Sequence, residues 1–197
     1  TEWADATLWQ ESSYWDALLA ARDAAARQEA DPNLLPVVRS IASQADQQAA
    51  NVRLIRSYVR AQEDNLRLAL GRRERARSLD TLRANLDTLA RGSDRVRGNL
   101  HYLAVRCRLA AGQALPDPEL VRAAEGALAR LETVRAELDS LLAEASGLEA
   151  RVASEAVLAL DRALRFRARD LARAASDARR SLSLASASAS DLRDRAR

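Results

Sequence analysis

The chain has 197 residues, of which 48% are hydrophobic and only 4% aromatic, and alanine, leucine and arginine dominate it. All 31 basic residues are arginine, and the formal net charge is +3. This composition is typical of long helices and disfavours sheet proteins, while one histidine and one cysteine exclude multi-histidine metal sites and an intramolecular disulfide.

The first predicted element is a helix over residues 1–30 that carries an aromatic cluster. Its opening stretch, TEWADATLWQESSYWDALL, contains all three tryptophans of the chain. Helical spacing predicts that Trp15 faces the core. Trp9 points away from Trp15, and Trp3 and Tyr14 lie on a neighbouring stripe. We predict that Trp3, Trp9 and Tyr14 contact a binding partner, because exposed tryptophan and tyrosine often anchor interfaces.

The second predicted helix covers residues 35–70 and has a heptad seam. Its apolar residues alternate at spacings of three and four, which is the repeat that coiled coils use. Gln48 and Gln62 interrupt this seam, and Ser93 interrupts the seam of the following helix. Polar residues at such positions lower stability and specify register or partner number. The alternative is that these layers lie at a partly open edge of the bundle.

A turn is predicted at Gly71, because glycine commonly follows the last residue of a helix. The third seam, over residues 79–110, does not continue the phase of the second. The slip indicates an antiparallel hairpin, although a continuous helix with a stutter gives the same slip. Ser78 is the predicted N-cap of the third helix. Four arginines cluster at this corner and are candidate contacts to a partner: Arg72, Arg73, Arg75 and Arg77.

The clearest break in the chain is the stretch GQALPDP, residues 112–118. Asp117 and Pro118 predict the start of a fourth helix, with an aspartate cap and proline at the first helical position. Its seam runs to residue 152, after which the phase shifts to a fifth seam that includes Arg167. The two segments form either a hairpin or one long bent helix. The Ser/Ala-rich end is either helical or frayed.

These segments predict an all-α fold, an elongated antiparallel helical bundle of about five helical segments resembling a coiled coil. The break at residues 112–118 divides the prediction into two parts. Residues 1–113 hold three helices, and residues 114–197 hold a second hairpin or one bent helix. We expect the two parts to pack as one elongated domain.

Charge alternates along the chain in blocks. The net charge is −5 over residues 1–52, +8 over 53–108, −6 over 109–161 and +6 over 162–197. One interpretation is that acidic and basic helices lie side by side and pair with each other. The other is that the basic blocks, including Arg162, Arg165 and Arg169, face nucleic acid or an anionic membrane.

Two single residues carry chemistry of their own. Cys107 falls on the third seam, where we predict a buried cysteine that behaves as a small hydrophobe. The alternative is an intermolecular disulfide that links two chains. His101 lies beside the seam and is predicted to be an edge residue of the helix.

No nucleotide-binding, hydrolase or metal-binding motif is present, and no seam carries the Glu/His sets of catalytic bundles. We therefore expect a non-enzymatic scaffold, adaptor or spacer without a cofactor or metal. Its expected partner is a protein or a second copy of the chain, and we expect no small-molecule ligand. One alternative is an extracytoplasmic sensor domain cut from a membrane protein. A further alternative is a bundle that binds an anionic membrane or nucleic acid through its arginine stripes.

Overall fold

The computed structural model describes residues 16–24, 33–71 and 75–197. Five residues of the predicted sites, and Trp15 of the predicted core, lie outside the described residues: Trp3, Trp9, Tyr14, Trp15, Arg72 and Arg73. Within these ranges the chain is all-α, as predicted, with no strand. The helices are α1 (16–24), α2 (Leu34–Leu70), α3 (Arg75–Gln113), α4 (Pro118–Val152), α5 (Glu155–Leu158) and α6 (Ala163–Ala196).

Two of the predicted helix ends are confirmed and one is wrong. α2 ends at Leu70: the N–H of Gly71 still donates to the Arg67 and Leu68 carbonyls, but the backbone of Gly71 is extended. The Asp117 side chain accepts from the backbone N–H of Glu119 at 2.8 Å and starts α4. Ser78 does not cap α3. It is buried inside this helix, which is already helical at Arg75, because arginine and alanine favour helix over a break here.

Two antiparallel hairpins follow from the cross-helix contacts. Gln48 of α2 pairs with Asn99 of α3 across 51 residues, and Gln62 pairs with Asn85 across 23 residues. The sequence separation shrinks towards Gly71, so α2 and α3 run in opposite directions. The separations of the Arg179–Asp139 and Arg197–Glu125 pairs, 40 and 72 residues, show the same for α4 and α6.

The two hairpins pack side by side, and the helices that contact each other between the hairpins run in the same direction. Arg53 contacts Glu137 and Arg60 contacts Glu144, and both pairs span 84 residues, so α2 and α4 run parallel. The pairs Arg83–Asp161 and Asp87–Arg167 span 78 and 80 residues, so α3 and α6 run parallel as well. The packed pairs place the long helices in the ring order α2, α3, α6, α4. Each long helix is about 51–59 Å in length at 1.5 Å per residue.

A break and not one long bent helix separates α4 from α6. α4 ends at Val152, and the one-turn helix α5 lies between it and α6. The predicted fifth seam is wrong at Arg167. Leu164 and Leu171 are buried as predicted, but the buried position between them is Ala168, four residues after Leu164. Arg167 instead pairs with Asp87 of α3. The Ser/Ala-rich end is helical to Ala196.

One hydrophobic core connects both hairpins. The buried apolar residues of α2, α3 and α4 include those that the three–four spacing predicted, whereas coiled-coil interlocking of these layers stays a prediction. Most core positions of α6 are alanine, opposite leucine-rich positions on α3. Small residues on one helix and large ones on its neighbour fill the space between them without voids.

Cys107 lies in this core and is inaccessible to solvent. Burial raises the pKa of its thiol to about 12, against a small lowering by the nearby Arg106. A thiol that remains protonated is a poor nucleophile. The side chain therefore acts as a small hydrophobe in the folded chain, and the intermolecular disulfide is not available without unfolding.

Candidate functional site

Gln48 and Gln62 form two matching polar bridges between α2 and α3. The Gln62 side-chain oxygen accepts from Asn65 at 2.9 Å and from Asn85 at 3.0 Å. Fourteen residues earlier on α2, the Gln48 oxygen accepts from Asn51 and Asn99. Asn85 and Asn99 lie on α3, so a shift of one turn between the helices would break these two bonds, whereas the bonds to Asn65 and Asn51 lie within α2. The role of the two glutamines in register stays a prediction.

Ser93, the third polar seam residue, does not join helices. Its side chain is completely buried and donates to the carbonyl of Leu89, one turn earlier in α3. This local bond satisfies the hydroxyl within its own helix. Ser93 thus differs from the two glutamines, and its short side chain leaves room for the neighbouring helices.

The corner arginines and α1 lie at separate places on α3. Arg75 and Arg77 are exposed in its first turn, and neither pairs with a carboxylate among the residues that the structure describes. Further along α3, Asn99 accepts from Arg22 at 2.7 Å, and His101 contacts Asp23 at 2.7 Å. His101 is therefore the edge residue that was predicted, and it holds α1 against α3.

An arginine–glutamate row joins α2 and α4. Arg56 contacts both Glu137 and Glu144, while Arg53 and Arg60 each contact one of them at 2.8 and 2.7 Å. Burial is the largest single influence and raises the pKa of both glutamates, but the hydrogen bonds and the positive charges of the arginines together lower it by more, so each pKa lies below its ordinary value. Basic and acidic blocks thus pair within the molecule along this seam.

Acid is expected to weaken this seam. A folded pKa below the unfolded value of about 4.3 adds stability above that pH and loses it as pH falls through the folded value. We expect E137Q/E144Q to lower the free energy of unfolding at pH 7 by about 2 kcal/mol. Between neutral and acid pH, the melting temperature of E137Q/E144Q should then fall less than that of the wild type. Circular dichroism measures both.

The matched control for this experiment removes two exposed carboxylates instead. Asp64 and Glu132 are both exposed, and each forms a salt bridge with an arginine three residues along the same helix. Such surface pairs contribute little. If D64N/E132Q flattens the acid transition as much as E137Q/E144Q does, the seam is not its source.

The outer face of α2 presents apolar side chains to solvent. Leu54, Tyr58 and Leu68 are 57%, 55% and 59% exposed. Leu54, Ala61 and Leu68 follow one another at seven-residue spacing, so they form a straight line along the helix. We call Ala50, Leu54, Ser57, Tyr58, Ala61 and Leu68 the α2 stripe; none of these residues is charged.

Arginines border the α2 stripe on the side of α4. Arg53, Arg60 and Arg67 also follow at seven-residue spacing, and each side chain is more than half exposed. Each contacts one carboxylate, of Glu137, Glu144 and Asp64 respectively. A guanidinium has five N–H donors, so each arginine keeps donors that face solvent.

The α2 stripe was missed by the sequence prediction, which followed the buried seam of the same helix. The available signal was a second set of uncharged positions at heptad spacing in a chain with 30% charged residues. Its alanines and serines made the signal weak, because small residues are also common on solvated helices.

Comparison with protein-family models, with curated proteins and with solved structures finds no match for this chain. In the described part of the chain, no group of three or more side chains could hold a metal ion. Within the same residues, no helix combines the length and apolar composition needed to span a bilayer.

Proposed function

We propose that this chain is a non-enzymatic interaction domain that binds an acidic amphipathic helix of a protein partner on the α2 stripe. The observation that carries the proposal is the line of exposed Leu54, Tyr58 and Leu68 on a helix whose opposite face is buried. Exposed apolar side chains in a contiguous row, bordered by polar ones, are typical of interaction sites.

The spacing of the α2 stripe favours a helix as the bound element. The large side chains Leu54 and Leu68 alternate with the small Ala50, Ser57 and Ala61. A second helix can seat its own side chains over the small residues while Leu54 and Leu68 pack between its turns. From Ala50 to Leu68 the stripe is about 27 Å long, which matches two to three heptads of a partner.

The bordering arginines favour acidic residues on that helix. Arg53, Arg60 and Arg67 stand at the positions that flank a heptad seam, where charge selects the partner and its orientation. A helix with glutamates at its facing positions gains charge-assisted hydrogen bonds. A helix with lysines there brings like charges together, which disfavours binding.

The test uses a designed peptide of about three heptads, with leucines along one stripe and glutamates beside it. We expect the folded chain to bind this acidic peptide, and L54S/Y58S to bind it about 30-fold more weakly, because two buried anchors are lost. A lysine version of the peptide should also bind more weakly. Fluorescence anisotropy of the labelled peptides measures each affinity.

L184S/F166S is the matched control, because it removes an exposed leucine and an exposed aromatic residue from α6. Equal weakening by both double variants, or equal binding of both peptides, would refute the proposal. Light scattering detects a further outcome, which is dimerisation of the chain through the α2 stripe. If the chain is a dimer that L54S/Y58S dissociates, the occupant of the stripe is a second copy and not a helix of another protein.

A further inference from the structure

The outer face of α6 is an arginine row that the core and the α2 stripe do not use. Its exposed residues follow one line from Arg162 to Leu184, about 33 Å along the helix. We call this line the α6 row, and it consists of Arg162, Phe166, Arg169, Arg173, Arg180 and Leu184. The exposed Arg165 borders the α6 row.

Arginines outnumber carboxylates along the α6 row, beside which lie the exposed Asp170 and the half-buried Asp177. Arg162 and Arg169 have no carboxylate partner among the described residues, and Arg165 has none there either. Asp177 contacts Arg173 and Arg180, but also Arg97 on α3. One carboxylate is thus divided among three guanidinium groups, and the face as a whole remains basic.

The same end of the bundle brings further arginines to this face. The ion pair of Arg83 and Asp161, at 2.5 Å, holds the beginning of α3 beside the beginning of α6. Exposed Arg75 and Arg77 therefore lie at the same end of the bundle as Arg162. Of the predicted corner cluster, Arg75 and Arg77 are thus at the end of the bundle where the α6 row begins.

Two apolar side chains project from the α6 row. Phe166 is 64% exposed and Leu184 is 55% exposed, and they stand near the two ends of the row. The inward face of α6 is filled by the bundle core, and Phe166 and Leu184 lie on the opposite face, where no other described helix covers them. Arginines that surround exposed phenylalanine and leucine are the residue types of interfacial helices.

We propose that the α6 row is a docking surface for an anionic lipid membrane. A straight, rigid helix face can lie along a flat surface, with its guanidinium groups on lipid phosphates and carboxylates. Phe166 and Leu184 then enter the headgroup region at two points. Single-stranded nucleic acid fits less well, because it is held by several stacking aromatic side chains, and leucine cannot stack on a base.

The experiment is co-sedimentation of the full chain with vesicles of phosphatidylcholine, with or without phosphatidylserine. We expect binding only to the vesicles with phosphatidylserine, and weaker binding as salt is raised. R162Q/R169Q should bind up to about tenfold more weakly, because each arginine near the membrane surface adds to the attraction. F166S/L184S should also weaken binding at constant charge.

R39Q/R108Q is the matched control, since it removes two exposed arginines from other surfaces. Equal binding by R162Q/R169Q and R39Q/R108Q would overturn the proposal in favour of unspecific attraction by net charge. Displacement from the vesicles by oligothymidylate at equal phosphate concentration would assign the row to nucleic acid instead. L54S/Y58S should bind vesicles as the wild type does, so this inference and the proposed function can fail separately.

Discussion

Leu138→Ala is expected to lower the free energy of unfolding by about 2–5 kcal/mol, the usual cost of removing a buried leucine. Leu138 is completely buried on α4, and the core around it is built from both hairpins. A loss of about 3 kcal/mol lowers the melting temperature of a chain of this size by roughly 6–12 °C. Thermal and urea unfolding followed by circular dichroism measure the change.

Leu184→Ala on the outer face of α6 is the control, because this leucine is exposed. Surface substitutions usually change stability by less than about 0.5 kcal/mol. A single cooperative transition with a large loss for Leu138→Ala alone supports one core shared by both hairpins. Two separate transitions, of which only one responds to Leu138→Ala, would contradict it.

Gln62→Ala is expected to cost about 1–3 kcal/mol, because it leaves the amide groups of Asn65 and Asn85 without their acceptor. Replacing both sides of the bridge with apolar residues, as in Q62L/N85L, should recover most of that loss. A loss of stability in Gln62→Ala that Q62L/N85L recovers would show that the cost comes from unpaired amide groups and not from lost packing. Urea unfolding of the two variants measures both.

Gln47→Ala is the control for the bridge, because Gln47 bonds Asn51 on the exposed side of the same helix. It should change stability by less than about 0.5 kcal/mol. If Gln62→Ala lowers the free energy of unfolding no more than Gln47→Ala does, water replaces the bridge. The predicted role of Gln62 in register is then contradicted. If Q62L/N85L is as unstable as Gln62→Ala, shape and not hydrogen bonding determines the cost.

The helices and their inward faces could be predicted from the sequence, because heptad spacing, Gly71 and the Asp117–Pro118 start are local signals. The error at Ser78 had a local cause too, since helix propensity outweighed the cap. The error at Arg167 arose because Leu164 and Leu171 are seven residues apart, and a three–four pattern allows either residue 167 or residue 168 as the buried position between them.

The arrangement of the hairpins and the candidate sites could not be predicted in the same way. The parallel pairing of α2 with α4 depends on Arg56 reaching Glu137 and Glu144, more than 80 residues away. The α2 stripe and the α6 row consist of side chains that stay exposed after the described helices have packed together. Exposure of Tyr58 or Phe166 becomes visible only once the packed faces are known.

The most direct test of the proposed function locates the bound helix. Ser57 on the α2 stripe and Ser183 beside the α6 row are both exposed, and each hydroxyl bonds a carbonyl of its own helix. Ser57→Cys and Ser183→Cys can be labelled selectively with a fluorophore, because Cys107 is buried. We predict that the acidic peptide carrying a nitroxide quenches the label at position 57 and not at position 183. Equal quenching at both positions, or quenching at position 183 alone, would contradict the assignment of helix binding to the α2 stripe.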